Sequence, residues 1–277
     1  MAWAKSIRIL AGKELRDALR NRWFVAYGAS LVSLSLGLAF LALAGAGYGQ
    51  VAGFGRTAAS MVNLMMLLVP LMGLTLGAQS LAGERERGSL EFWLAQPIGI
   101  LELYLGKVVG LGLALAAAVG LSFGAAGLVL GVAGSYRDPQ TFVWLVELTI
   151  LLAWASLALG VAISAGVRQS STALSLALAA WLVLGLGGSL GLMGTAIVLR
   201  LSPGWLLAAA LTNPLESYRV AALYLLSGSA ELLGPAGLYA ADTLGSYLPL
   251  AFQVSLVLWI PATLGTGYLV LRREVSR

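Results

Sequence analysis

The sequence predicts an all-α integral membrane protein that crosses the bilayer six times, and three observations carry that prediction. Of its 277 residues, 59% are hydrophobic and only 10% charged, whereas a soluble domain carries about a quarter charged residues; a water-soluble globular fold is excluded. Six uninterrupted apolar stretches each approach or exceed the roughly 20 residues that a transmembrane helix needs. The basic residues are also uneven: of 17 Lys and Arg, only Arg56, Arg137, Arg200 and Arg219 fall on one side of the six-span layout.

Residues 1–23 come first. Trp3, Ile7, Leu10, Ala11, Leu15 and Ala18 recur near helical spacing, while Lys5, Arg8, Lys13, Arg16 and Arg20 line the other face. This pattern predicts a basic amphipathic helix at the membrane surface, serving as a topology anchor or a mechanical element. Six Lys/Arg in the first 22 residues, with no apolar core, make a cleaved signal peptide unexpected.

The spans follow at Phe24–Ala44, Ser60–Ala82, Val108–Val132, Phe142–Gly166, Thr172–Leu199 and Tyr247–Leu271. Their backbones must be helical, because lipid offers no hydrogen-bond partner. Six spans put both termini on one side, and the Lys/Arg bias makes that side the cytoplasm. The connections are unequal: a charged inner loop at 83–107, a minimal one around Arg168–Ser171, and a long outer segment at 200–246. With no repeat of 20–50 residues, residues 1–277 read as one domain.

Within the inner loop, Glu84 and Gly88, and Arg87 and Glu91, are one helical turn apart. The run from Glu84 can therefore form a short charged helix that closes before Pro97, either a docking element or an ordinary solvated loop. In the outer segment, Asn213 as N-cap, Pro214 at the first helical position and Glu216 at the third make a capping-box helix start. That helix should run to about Ser227. Turn residues at 227–229, 233–235 and 242–246 then predict a helical hairpin on the outer surface, apolar enough to seek a partner or the bilayer.

The residues Glu84-Arg85-Glu86, Gly88-Ser89-Leu90-Glu91, Leu94, Pro97 and Lys107 resemble the coupling loop of ABC-2-type permeases, the membrane subunits of ATP-binding-cassette transporters. Lys13-Glu14-Leu15-Arg16-Asp17 and the six-span layout resemble that family too. The resemblance implies the ABC-2 permease fold of the type V exporter kind, a location in the bacterial inner membrane, and a homodimer docked on two ATPase subunits. It makes Glu84, Arg85, Glu86, Gly88, Leu90 and Glu91 the docking positions.

A closer resemblance lies in residues 213–225 and 233–245 and points to the permeases that serve nitrous oxide reductase maturation. It implies an ATPase of the NosF type inside and a β-helical protein of the NosD type outside. A copper chaperone is a further partner it allows, with copper as the material the complex handles, and it makes Asn213, Pro214, Glu216, Tyr218 and Arg219 the contacts of the outside partner.

The chain should not be an enzyme. It has no Cys and no His, which excludes disulfides, thiolate nucleophiles, Ser-His-Asp triads and the usual Zn ligand sets. Gly106-Lys107 is followed by Val and lacks the glycine spacing of a phosphate-binding loop, so ATP with its Mg should belong to a separate chain. No cofactor is expected here, and the charge of +5 reads as membrane topology, with no nucleic-acid partner. Met61, Met65 and Met72 share one face of the second span and are the only soft donors for copper, although Met is equally a packing residue.

Glu147, about one turn inside the fourth span, faces water or pairs with Arg137 on the structural reading, and is otherwise a functional suspect. Gly120 and Gly124, Gly127 and Gly131, and Gly187 and Gly191 are spaced for close helix contact. Two rivals remain: an ABC-2 exporter of a lipid, peptide or sulfur compound, and an ion-coupled carrier. The carrier needs buried charges or broken helices at mid-membrane.

Overall fold

The computed structural model describes residues 2–45, 52–132, 139–198, 202–227 and 234–276, and all its regular elements are helices. The amphipathic helix α1 (Ala2–Arg20) leads into α2 (Arg22–Gly45), α3 (Ala52–Glu86), the short α4 (Ser89–Leu94), α5 (Ile100–Val132), α6 (Pro139–Ala165) and α7 (Ser170–Val198). Three shorter helices, α8 (Pro203–Thr212), α9 (Pro214–Ser227) and α10 (Gly234–Leu244), precede α11 (Leu248–Val275). Six of these helices, α2, α3, α5, α6, α7 and α11, are long and apolar enough to cross a membrane. Exposed aromatic residues sit at both ends, Trp3 and Trp23 at the end carrying α1, and Trp205, Tyr239 and Tyr247 at the other, as interfacial belts require.

The centre of the bundle is the pairing of α3 with α6. It is close because small residues remove the side chains between the backbones. A Cβ on Gly77 would lie 2.6 Å from the Leu157 carbonyl oxygen, and one on Gly160 would lie 2.5 Å from that of Leu74. Ser164 adds a polar tie, donating to the Ala78 carbonyl and accepting from the Leu81 and Ala82 amides. On the flank, the Ser35 and Ser122 hydroxyls, 2.7 Å apart, join α2 to α5.

Several boundaries differ from the sequence prediction. Helix α3 continues through Glu86, and α5 begins at Ile100, so Lys107 stands inside a spanning helix and not in a loop. The single helix expected from Glu84 is split at Gly88, whose φ of 70° is left-handed backbone that favours glycine. Gly120, Gly124 and Gly187 meet nothing within 4 Å; glycines that admit a close neighbour lie elsewhere on the same helices, at Gly106, Gly110 and Gly112 of α5 and Gly188 of α7.

The outer segment departs most. Helix α8 was not expected, α10 packs on α8, and the inward hairpin is made by α8 and α9. Their turn reaches deep: the Asn213 amide donates to the Leu184 carbonyl of α7 (2.8 Å) and the Trp259 indole donates to the Thr212 carbonyl (3.0 Å), about three turns inside α11. From there α9 runs back against α3, α6, α7 and α11.

Candidate functional site

A cluster of charged residues forms where α1, α3, α4 and α5 meet. Helix α1 lies against α5 so closely that a Cβ on Gly106 would come within 2.6 Å of the Leu10 Cβ, and one on Gly110 within 2.5 Å of the Ala11 carbonyl oxygen. Leu10, Ala11 and Ala18 are buried there, and Glu14 falls between them on the same face. Its charge is met from α5: Lys107, only 1% exposed, places its Nζ 2.9 Å from Glu14 Oε1 and 2.6 Å from Glu84 Oε1 of α3. One buried ammonium thus joins three helices.

Lys13 extends the cluster to Glu14 (3.0 Å), Glu84 (3.6 Å) and Asp17 (3.4 Å), and lies over the Trp93 ring of α4 at 5.0 Å. Burial pushes the Glu14 pKa up, but the charge and hydrogen bond of Lys107, with those of Lys13, outweigh it and hold the carboxyl below its ordinary range. Burial works against the Lys13 ammonium, and the surrounding carboxylates, Glu14 first, overcome it and raise its pKa.

The six docking candidates separate into two groups. Glu84 and Leu90 are buried. Arg85 donates to the Val167 and Ala165 carbonyls (2.7 and 3.3 Å), satisfying the end of α6, and Glu86 accepts the Ser170 amide (3.0 Å) at the start of α7. These charges hold the loop together. The exposed members of this set are Glu86, Gly88 and Glu91, joined by Arg87 and by Phe92 at 63% exposure. Lys13, Glu14, Asp17 and Lys107 carry the family resemblance but are not among the expected docking positions; the signal for Glu14 and Lys107 is an acid in an apolar face and a lysine near the start of a spanning helix.

At the other end, the five residues expected to touch an outside partner are mostly taken into the chain. Pro214, Glu216 and Tyr218 are buried because α9 turns inward; Asn213 is half-buried and caps α9 through the Leu215 amide (3.0 Å), and Arg219 pairs with Glu216 at 3.3 Å. The Tyr218 and Thr149 hydroxyls are 3.1 Å apart. Met61, Met65 and Met72 pack in the main apolar cluster. Glu147 is exposed and accepts from the Gln253 amide (2.8 Å); its expected partner Arg137 lies outside the described residues.

The charged junction stands at the end of the six-span bundle that carries Glu84–Glu91, and comparison with known proteins decides the family. The family model described as ABC-2 family transporter protein matches residues 8–274. The chain belongs to the ABC-2 transporter family. Two relatives of this ABC-2 permease carry the description "Probable ABC transporter permease protein NosY". The one from Stutzerimonas stutzeri is 32% identical over 276 residues, covering 96% of this chain and 98% of its own length. The one from Pseudomonas aeruginosa is 34% identical over 283 residues, covering 96% and 97%. The ABC-2 permease is a membrane protein, and the matches take in both the α1 junction and the α8–α10 segment.

Proposed function

We propose that this permease is the transmission subunit of an ABC complex serving copper-site assembly of nitrous oxide reductase. Two copies pair in the bacterial inner membrane with both termini cytoplasmic, and each docks a separate NosF-like ATPase on α4, through Arg87, Gly88, Glu91 and Phe92. ATP and Mg are bound and used by that partner; this chain is non-catalytic. The α8–α10 end faces a NosD-like β-helical protein, through the exposed surfaces of α8 and α10 in place of the buried α9. Copper is the material handled by the complex, with a copper chaperone among its partners, while Met61, Met65 and Met72 serve as packing residues.

The observation that carries this reading is the Lys107 junction. A force applied to α4 passes through Glu84 into α3, and through Lys107 and Glu14 into α5 and α1, because separating a buried ion pair leaves charges uncompensated. The permeases named NosY, similar over nearly their whole length, support the nitrous oxide reductase assignment.

The test is gentle extraction of the tagged chain from its native membranes with identification of what co-purifies. An ATPase together with a β-helical protein is the expected result. An ATPase alone moves the reading to an exporter of a lipid, peptide or sulfur compound, and neither, from a folded sample, overturns it.

A further inference from the structure

A polar cavity of about 460 Å³ opens beside the junction, lined by Lys13, Asp17, Gln79, Glu84, Arg87 and Trp93 among others. The charges around it are equal in number but unevenly paired. Three carboxylates, Glu14, Asp17 and Glu84, share two ammonium groups, Lys13 and Lys107, while Arg87 makes no ion pair with them and lies over Gly83. Both ammonium groups bind Glu84 through Oε1. Its Oε2 is buried and meets no donor among the described residues, although the residue is only 6% exposed. A buried carboxylate oxygen without a donor is costly; a hydrogen-bond donor able to enter the cavity satisfies it, and a charged donor does so most strongly.

We propose that the cavity receives a basic side chain, lysine or arginine, carried by the docked ATPase. The inference rests on the docking reading above. It follows from what lines the cavity: Phe92 and Trp93 of α4, with Arg87 just before it, belong to its wall, so a protein seated on α4 has its own side chains within reach. An inserted ammonium or guanidinium donates to Glu84 Oε2 and adds a contact to an aromatic face already used by Lys13. Docking thereby becomes charge-selective and is felt directly by the atom set that joins α1, α3 and α5.

The test uses a photo-reactive residue placed at Gln79, in the cavity wall, or at Glu91, exposed on α4 and not part of that wall, in the assembled permease–ATPase complex. Both positions are expected to cross-link the ATPase, and the segment caught from Gln79 should contain a lysine or arginine. Changing that residue to glutamate should weaken ATPase binding about tenfold or more, and Asp17→Lys in the permease should restore it. Capture from Glu91 without capture from Gln79 overturns the inference and leaves the docking reading intact, as does a captured segment with no basic residue. Capture only of phosphatidylethanolamine from Gln79 assigns the cavity to a lipid amine and also overturns it. Capture of the ATPase from neither position removes the docking reading itself.

Discussion

Lys107 on α5 and Glu84 on α3 form a buried ion pair of 2.6 Å, made between two spanning helices and closed from the side by Glu14 of α1. The pair is short, enclosed and shared, so its removal is felt by every helix that meets it.

Lys107→Met should therefore be strongly destabilising. It leaves two buried carboxylates facing each other, and breaking a buried pair from one side costs about 3–5 kcal/mol. The triple variant Lys107→Met, Glu14→Gln, Glu84→Gln removes the stranded charges and should recover most of that loss. Thermal unfolding of the detergent-solubilised chain measures both.

Acid should loosen the same junction. The Glu14 carboxyl is held below its ordinary value of 4.5, so its contribution is fully present above that value and is lost as pH falls through the depressed one. Melting temperature recorded downward from pH 7 should hold until about the ordinary carboxylate range and then drop. In Glu14→Gln the part of that drop due to this group should disappear.

The contact of α3 with α6 gives a steric prediction. Gly77→Ala and Gly160→Ala each put a methyl within 2.6 Å of a backbone atom across the interface, and forcing such helices apart should cost about 1–3 kcal/mol. Gly120→Ala meets nothing within 4 Å and should change stability by about 0.5 kcal/mol or less. Chemical denaturation of the three variants in one detergent makes the comparison.

Asn213 does two tasks that substitutions can separate. Asn213→Asp keeps the oxygen that caps α9 but loses the donor to the Leu184 carbonyl, whereas Asn213→Ala loses both. Alanine should cost about 2 kcal/mol and aspartate less than alanine only if the cap outweighs the lost donor and the added charge. Proteolysis at the α8–α9 turn, which the inward fold shields, reports the loosening directly.

The six spans were legible because membrane insertion imposes a length and a composition that few other structures share, and the start of α9 was legible because Asn213-Pro214 is a local signal. The direction of α9 was not. In a chain where lipid-facing and protein-facing surfaces are both apolar, the pattern around Val220, Ala221 and Ala222 carries no mark of which side is buried. The same difficulty explains Gly120 and Gly124, whose spacing fits a contact that the chain does not make with itself, and the split at Gly88, where backbone conformation overrides helical spacing. At the junction, the acid and the lysine were visible separately, but they are 93 positions apart and nothing in either neighbourhood names the other.

That separation has a consequence for biosynthesis. Glu14 leaves the ribosome long before Lys107, and α2 and α3 are made in the interval, so α1 must wait at the bilayer surface, held by its basic face, while two hydrophobic helices are threaded. The junction can close only when α5 arrives with its lysine. A chain whose α5 were threaded in the wrong orientation would carry Lys107 to the far side of the membrane and leave Glu14 and Glu84 without it. The ion cluster is in this sense a record of correct insertion, written at the point where three helices made at different times must agree.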